Sequence, residues 1–134
     1  MGAIADRDGT SASFGKSRRL LTATQYRAVF DDATVKASHR NLLLLARISE
    51  TSQSRLGLVI AKKNVRKAVQ RNRIKRVARE LFRQLPPAEP PLDVVLLARR
   101  GLDQLDNTAL FAALGEQWQT LHRKAARTQQ PRDN

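Results

Sequence analysis

Eight positive charges, Lys62, Lys63, Arg66, Lys67, Arg71, Arg73, Lys75 and Arg76, fall within 15 consecutive residues, and no acid interrupts them before Glu80. The chemistry open to such a run is anion binding. Like charges one turn apart weaken a helix unless an anion lies beside them, and guanidinium forks match phosphate oxygens in pairs. Turning about 100° per residue from Ile74 places Val77, Ala78, Leu81, Phe82 and Leu85 within roughly 80° of it. Asn72, Arg76, Arg79 and Arg83 then lie on the opposite side, with Arg73 and Lys75 on the flanks. The positive end of the helix dipole adds to phosphate attraction. Asn72 is either an ordinary surface residue or a reader of a base edge or sugar hydroxyl through its amide. Three or four basic residues would ordinarily be a solvated face; here unmatched sign and one-sided placement favour a polyanion. The pattern breaks earlier, where Val65 and Val69 fall on the far side and Lys67 and Arg71 over the apolar stripe. Either the first two turns project beyond the core, or the helix begins later than Asn64.

Tyr26, Val29 and Phe30 share one face of a short helix over about 23–31. Thr22 and Gln25 fit a capping box before it, and Leu21 and Tyr26 hold the positions of a hydrophobic staple. Tyr26 and Phe30 either pack into the core or stack on unpaired bases, as rings do in single-strand binders. Phe82, Phe111 and Trp118 lie on or near core stripes. His39 and His122 have no metal-ligand spacing, and Asp31 and Asp32 close the first helix, where a carboxylate pair can bind a divalent ion but more often just ends a helix. Gly-rich phosphate loops, nucleophile elbows and cysteines are missing from the sequence. The chain is therefore expected to carry no catalytic residue, metal site or small-molecule cofactor site of its own.

The elements that must position these groups read in the order α, β, β, α, β, α. The runs 41–48 and 55–61 read as strands, although the four leucines of the first suit a helix equally. A basic helix follows from about Asn64, a plausible cap, to Leu85, where Pro86 and Pro87 stop it. A third main strand occupies 93–98, and Asp106 or Asn107 caps a last helix striped by Leu110, Leu114, Trp118, Leu121 and Ala125. With 134 residues, 25 Lys+Arg against 12 Asp+Glu, a net charge of +13 and 41% hydrophobic residues, one α/β domain over 14–126 is expected. Residues 1–13 read as a flexible extension and 127–134 as a polar tail. The longest apolar run, Leu42 to Ala46, is far short of the ~20 residues that span a membrane. No secretory signal pattern opens the chain, so a cytoplasmic location is expected.

The segment Leu56-Gly-Leu-Val-Ile-Ala-Lys-Lys-Asn-Val-Arg-Lys-Ala-Val-Gln-Arg-Asn-Arg-Ile-Lys-Arg-Val-Ala-Arg-Glu80 resembles the protein component of bacterial ribonuclease P. Arg71-Asn72-Arg73 followed by Ile74-Lys75-Arg76 and Arg79 is that family's hallmark. The likeness extends through Phe14 to Leu21, Tyr26 to Phe30, the strand at Asp93 and Leu105-Asp106-Asn107. It implies an α+β fold, a two-layer α/β sandwich with a mixed sheet of about four strands and three helices. It also implies a left-handed βαβ crossover, as in the second domain of ribosomal protein S5, against the usual hand. By the same resemblance, a catalytic RNA subunit holding Mg2+ would cleave the 5′ leader from precursor tRNA, with the protein assisting. Arg71, Asn72, Arg73, Lys75, Arg76 and Arg79 would then face the catalytic RNA. Tyr26 and Phe30 would contact the leader, and Lys62 and Lys63 would neutralise nearby phosphates. Some relatives carry an aromatic where this chain has Leu42 to Leu45, which implies a cleft that grips more by charge than by stacking. The competing readings are an RNA-binding module with no part in cleavage and a protein-only nuclease. The second requires a carboxylate or histidine cluster that the sequence does not offer.

Overall fold

A computed structural model describes residues 18–85 and 90–129. The chain forms α1 (Ala23–Asp32), β1 (Val35–Ser38), β2 (Leu42–Ile48), β3 (Arg55–Val59), α2 (Ala68–Gln84) and β4 (Leu92–Ala98). A 3-10 turn (Leu102–Gln104) and α3 (Asn107–Gln129) complete it. The sheet order is β1-β2-β4-β3. β1, β2 and β4 are antiparallel neighbours, whereas β3 runs parallel to β4 and reaches it through α2.

Strand alternation sorts the sheet into two faces. Leu42, Leu44 and Ala46 of β2, Leu56 of β3 and Leu92, Val94 and Leu96 of β4 join Ile74, Val77, Ala78 and Phe82 of α2 and Leu110, Leu114, Trp118 and Leu121 of α3 in the main core. Each fully buried aliphatic side chain in it contributes roughly 1.5–3 kcal/mol. α1 lies across the opposite face, where Val29 packs with Leu20 and Val95 against Leu45, Val59 and Leu97. β4 is thus covered on both faces, which explains its unbroken run of strand formers.

Four leucines in a row become a strand because β2 has hydrogen-bonded neighbours on both sides, β1 and β4. That non-local pairing outweighs their good helix propensity. β1 is a strand that the residue pattern did not separate: Val35-Lys36-Ala37-Ser38 is only four residues long, and its two buried side chains are small. A tight turn joins it to β2, in which His39 and Leu42 exchange backbone hydrogen bonds and Asn41 N–H donates to His39 Nδ1 at 3.0 Å.

The helix ends show which local signals held. Gln25 N–H donates to Thr22 Oγ1 at 3.2 Å and Thr22 N–H to Gln25 Oε1 at 3.1 Å, a complete capping box. The staple does not form. Leu21 is 54% exposed, and Leu20 takes the buried place beside Tyr26. α2 begins at Ala68 rather than Asn64. Asn64 is not its cap, because Asn64 Nδ2 donates to the Ala98 carbonyl at 2.9 Å and pins the preceding turn to the end of β4. Val65 plugs into the core while Val69 stays 68% exposed. Asp106 caps α3, accepting from Ala109 N–H at 2.8 Å. That helix runs to Gln129, three residues into the stretch expected to be tail. The expected extension 1–13, the two helix-stopping prolines and residues 130–134 lie outside the described residues.

One charged row crosses the sheet beneath α1. Asp93, 1% exposed, faces Arg47 on one side and Arg55 on the other by register. Arg55 grips it with two hydrogen bonds of 2.9 and 2.7 Å, which raises the guanidinium pKa above its ordinary value. Arg47 stands 3.9 Å from the same carboxylate and 3.3 Å from Asp32. Asp93→Ala leaves two arginines without their shared counter-charge, so chemical denaturation should show a loss of about 3–5 kcal/mol. A loss under 1 kcal/mol would mean that the row is not a structural tie.

Candidate nucleic-acid interface

α2 inherits its polarity from the core stripe. With Ile74, Val77, Ala78 and Phe82 buried, the remaining positions turn outward. Asn72, Lys75, Arg76, Arg79, Glu80 and Arg83 line one open groove of about 370 Å³. Glu80 is occupied by Arg83 and Gln84, whose hydrogen bonds hold its carboxyl below the usual range. Its charge is thereby spent on Arg83. Burial lowers the Arg79 guanidinium pKa, the nearby positive charge of Arg19 lowers it further, and Tyr26 opposes the shift. The groove therefore presents a net positive field.

The basic residues divide into two groups. Asn72, Lys75 and Arg76 form no side-chain hydrogen bond or ion pair among the described residues and lie along the groove. Arg71 Nη1 donates to the Val65 and Arg66 carbonyls at 3.1 and 2.9 Å. Arg73 donates to Gln70, Asn107 and Asp103. Neither arginine is paired with an acid, so both keep an uncancelled charge. The N-cap of α2, Lys67, makes no side-chain capping hydrogen bond.

A second surface lies on the α1 side. Ser38, Leu43, Leu97 and Val59 form one row across the four strands by register, and Leu43, Leu97 and Val59 are half-buried. Tyr26 and Phe30 stand one turn apart on α1. Tyr26 is half-buried against the sheet, and its hydroxyl accepts the Leu58 N–H at 3.1 Å. Phe30 is 44% exposed. The two rings thus have different situations, with Tyr26 packed and Phe30 open.

Lys62 and Lys63 sit exposed in the turn after β3. Because β3 and β4 are parallel neighbours, Arg99 and Arg100 emerge at the same end of the sheet. Arg99 Nη1 donates to Ser38 Oγ and the His39 carbonyl at 3.0 and 2.7 Å, and Asn41 Nδ2 donates to the Arg100 carbonyl at 3.0 Å. Gly101 has φ +93°, and a Cβ there would meet Asn41 Nδ2 at 2.7 Å. Sequence reasoning missed Arg99 and Arg100. Their signal was a basic pair directly before a glycine at a strand end, legible only once β3 and β4 are known to be parallel.

Gly57 makes the seat for Tyr26. A Cβ at this position would lie 2.6 Å from Tyr26 Cε2 and 2.7 Å from Cζ. Gly57→Ala should therefore push the ring off its seat and cost ~1–3 kcal/mol in urea unfolding. In a Tyr26→Ala background the same change should cost far less, because the clash has gone. Additive losses would refute the contact as the cause.

Comparison with known proteins joins these observations. The ribonuclease P family model matches residues 14–122. The ribonuclease P protein component of Pseudomonas paraeruginosa is 48% identical over 123 residues, covering 92% of this chain and 91% of that one. The Marinobacter nauticus ribonuclease P protein component is 48% identical over 112 residues, 84% of each chain. The Staphylococcus aureus RNase P protein shares the fold with a TM-score of 0.69 at 21% identity, covering 78% of this chain and 95% of that one. The Thermotoga maritima RNase P protein superposes with a TM-score of 0.62 at 26% identity, covering 78% and 96%. The chain belongs to the ribonuclease P protein family, the protein side of the ribonucleoprotein endoribonuclease that removes the 5′ leader of precursor tRNA.

Proposed function

We propose that the chain divides its RNA contacts between two surfaces. The outer face of α2 meets the catalytic RNA, and the α1–sheet cleft receives the single-stranded leader of precursor tRNA. The observation that carries this reading is the open row Asn72, Lys75, Arg76 and Arg79, in which no cation is paired with an acid among the described residues; Glu80, the acid lining the same groove, is taken by Arg83. Phosphates beside that row relieve its self-repulsion and release counterions as they bind. Asn72, between two anchored arginines, is the amide placed to reach a base edge or a sugar hydroxyl. Arg71 and Arg73 add charge from the base of the ridge.

In the cleft, Leu43, Leu97 and Val59 give an apolar floor, and Phe30 gives an exposed ring on which a base can stack. Tyr26 supplies a wall and, through its own hydroxyl hydrogen, one donor. Lys62, Lys63, Arg99 and Arg100 form a cationic rim for leader phosphates. Such a floor has few groups that tell one base from another, so it suits leaders of varied sequence.

The chain's part in the reaction is to bind, orient and screen charge. Magnesium, which the family's reaction uses, supplies Lewis-acid and water-activating chemistry. Among the described residues no three His, Asp or Glu side chains converge on one point. Those donors therefore do not make a site for such an ion, and in this reading the RNA subunit holds it. No helix among the described residues is long and apolar enough to cross a membrane.

Reconstitution with the cognate catalytic RNA at low magnesium should show faster leader release on adding the chain. Absence of stimulation would support an RNA-binding module outside cleavage, and cleavage without RNA would support a protein nuclease. Lys75→Ala and Arg76→Ala should each lower the salt slope of catalytic-RNA binding by about 0.7–0.9. Phe30→Ala should weaken binding of leader-bearing substrate by ~1–3 kcal/mol and leave leaderless substrate unchanged. Equal loss with both substrates would place Phe30 in packing instead.

A further inference from the structure

Arg73 is the best-anchored cation of the ridge. Nε donates to Gln70 Oε1 at 2.8 Å, Nη1 to Asn107 Oδ1 at 2.8 Å and Nη2 to the Asp103 carbonyl at 3.3 Å. All three nitrogens are engaged, and the acceptors come from three elements: the first turn of α2, the 3-10 turn and the first residue of α3. A guanidinium fork grips a phosphate through two parallel N–H groups, from the two outer nitrogens or from Nε and one of them. In Arg73 each of the three nitrogens already directs an N–H at an internal acceptor. Water is not excluded from the place, because Arg73, Asp103 and Asn107 line an open groove of about 580 Å³. The fork holds its internal acceptors although solvent is at hand.

The mechanical setting gives these bonds their meaning. α2 begins without a side-chain cap and its buried residues start only at Ile74, so the turns before Ile74 are not held by the apolar stripe. Arg73 stands on the flank of that stripe next to α3. A three-point bond there acts as a stop. It sets which way Asn72, Lys75, Arg76 and Arg79 face.

We propose that Arg73, despite its place in the Arg-Asn-Arg motif, is a positioning residue: with Asn107 and Asp103 it clamps α2 to the start of α3 and so aims the neighbouring cations at the catalytic RNA. This inference rests on the reading of the α2 face as the RNA contact. It makes Asn107, which touches no RNA in this reading, a determinant of RNA affinity.

The full chain and its cognate catalytic RNA test the clamp, with affinity measured across a potassium chloride series well below the melting temperature of each variant. Arg73→Ala should weaken binding roughly tenfold while its salt slope falls by less than that of Arg76→Ala. Arg73→Lys keeps the charge but cannot reach three acceptors, so it should lose nearly as much affinity as Arg73→Ala. Asn107→Ala should also weaken binding, and the double variant should be no weaker than Arg73→Ala alone. The preference for leader-bearing over leaderless substrate should be retained throughout. Arg73→Lys and Asn107→Ala carry the test should Arg73→Ala fail to fold. The clamp is refuted by a slope lowered in Arg73→Ala as in Arg76→Ala, by near-full affinity of Arg73→Lys, or by additivity with Asn107→Ala. Arg76→Ala separates the two levels, because an unchanged slope in that variant defeats the α2-face reading itself.

Discussion

The burial of one stripe of α2 is the constraint from which the rest follows. Ile74, Val77, Ala78 and Phe82 leave water against the sheet and α3, and Phe82 meets Trp118 edge-on at 5.1 Å between ring centres. A helix packed along one stripe turns its opposite side to solvent, and the contacts of Arg73 with Asn107 and Asp103 hold the start of the helix in that orientation. Every cation between Arg71 and Arg83 must lie on the outer face or its flanks, because a guanidinium cannot enter that core unpaired at an acceptable cost. The positive ridge is thus the complement of the hydrophobic seam. The same burial holds the ridge rigid, which lowers the entropy lost when a folded polyanion docks.

The sheet serves two surfaces because its second-to-last strand is covered on both sides. β4 has the α2–α3 layer beneath it and α1 above it, and Asp93 ties β2, β4 and β3 together through Arg47 and Arg55. α1 does not cover the whole upper face, and the row Ser38, Leu43, Leu97 and Val59 remains half open. The outer edge of β3 is not left bare either. Leu20 N–H donates to the Leu56 carbonyl at 3.0 Å, and Tyr26 accepts the next outward amide, that of Leu58. These contacts blunt an edge that could otherwise pair with another chain, and they seat the aromatic wall of the cleft. Tyr26 therefore has a structural duty that the exposed ring of Phe30 does not share.

Local signals were readable where the physics is local. The Thr22–Gln25 capping box, the Asp106 cap and the stripe from Ile74 to Phe82 need only residues within one or two turns of each other, and all appear as expected. Asn64 misled for the same reason. It has the chemistry of a cap, but its amide is taken by Ala98, a partner 34 residues away in sequence. β1 went unseen because four residues with small buried side chains make almost no periodic signal. The leucines of β2 fitted helix and strand equally until β1 and β4 supplied partners. Tyr26 and Phe30 could not be told apart, since both lie on one helical face and only Gly57 and Leu58 decide which ring is seated.

The amino-acid order by itself determined the charge excess and the one-sidedness of the basic helix, because these depend on composition and on spacing within a single element, and it carried the family as a resemblance that runs through most of the chain. Tertiary structure alone decided which cations are free to reach a ligand. Arg71, Arg73 and Arg76 are equivalent as residues in a string, yet two of them find internal carbonyl or amide acceptors and the third does not. The difference is one of distance in space: a hydrogen bond forms within about 3 Å, and nothing in the spacing of a helix states what another helix will bring that close.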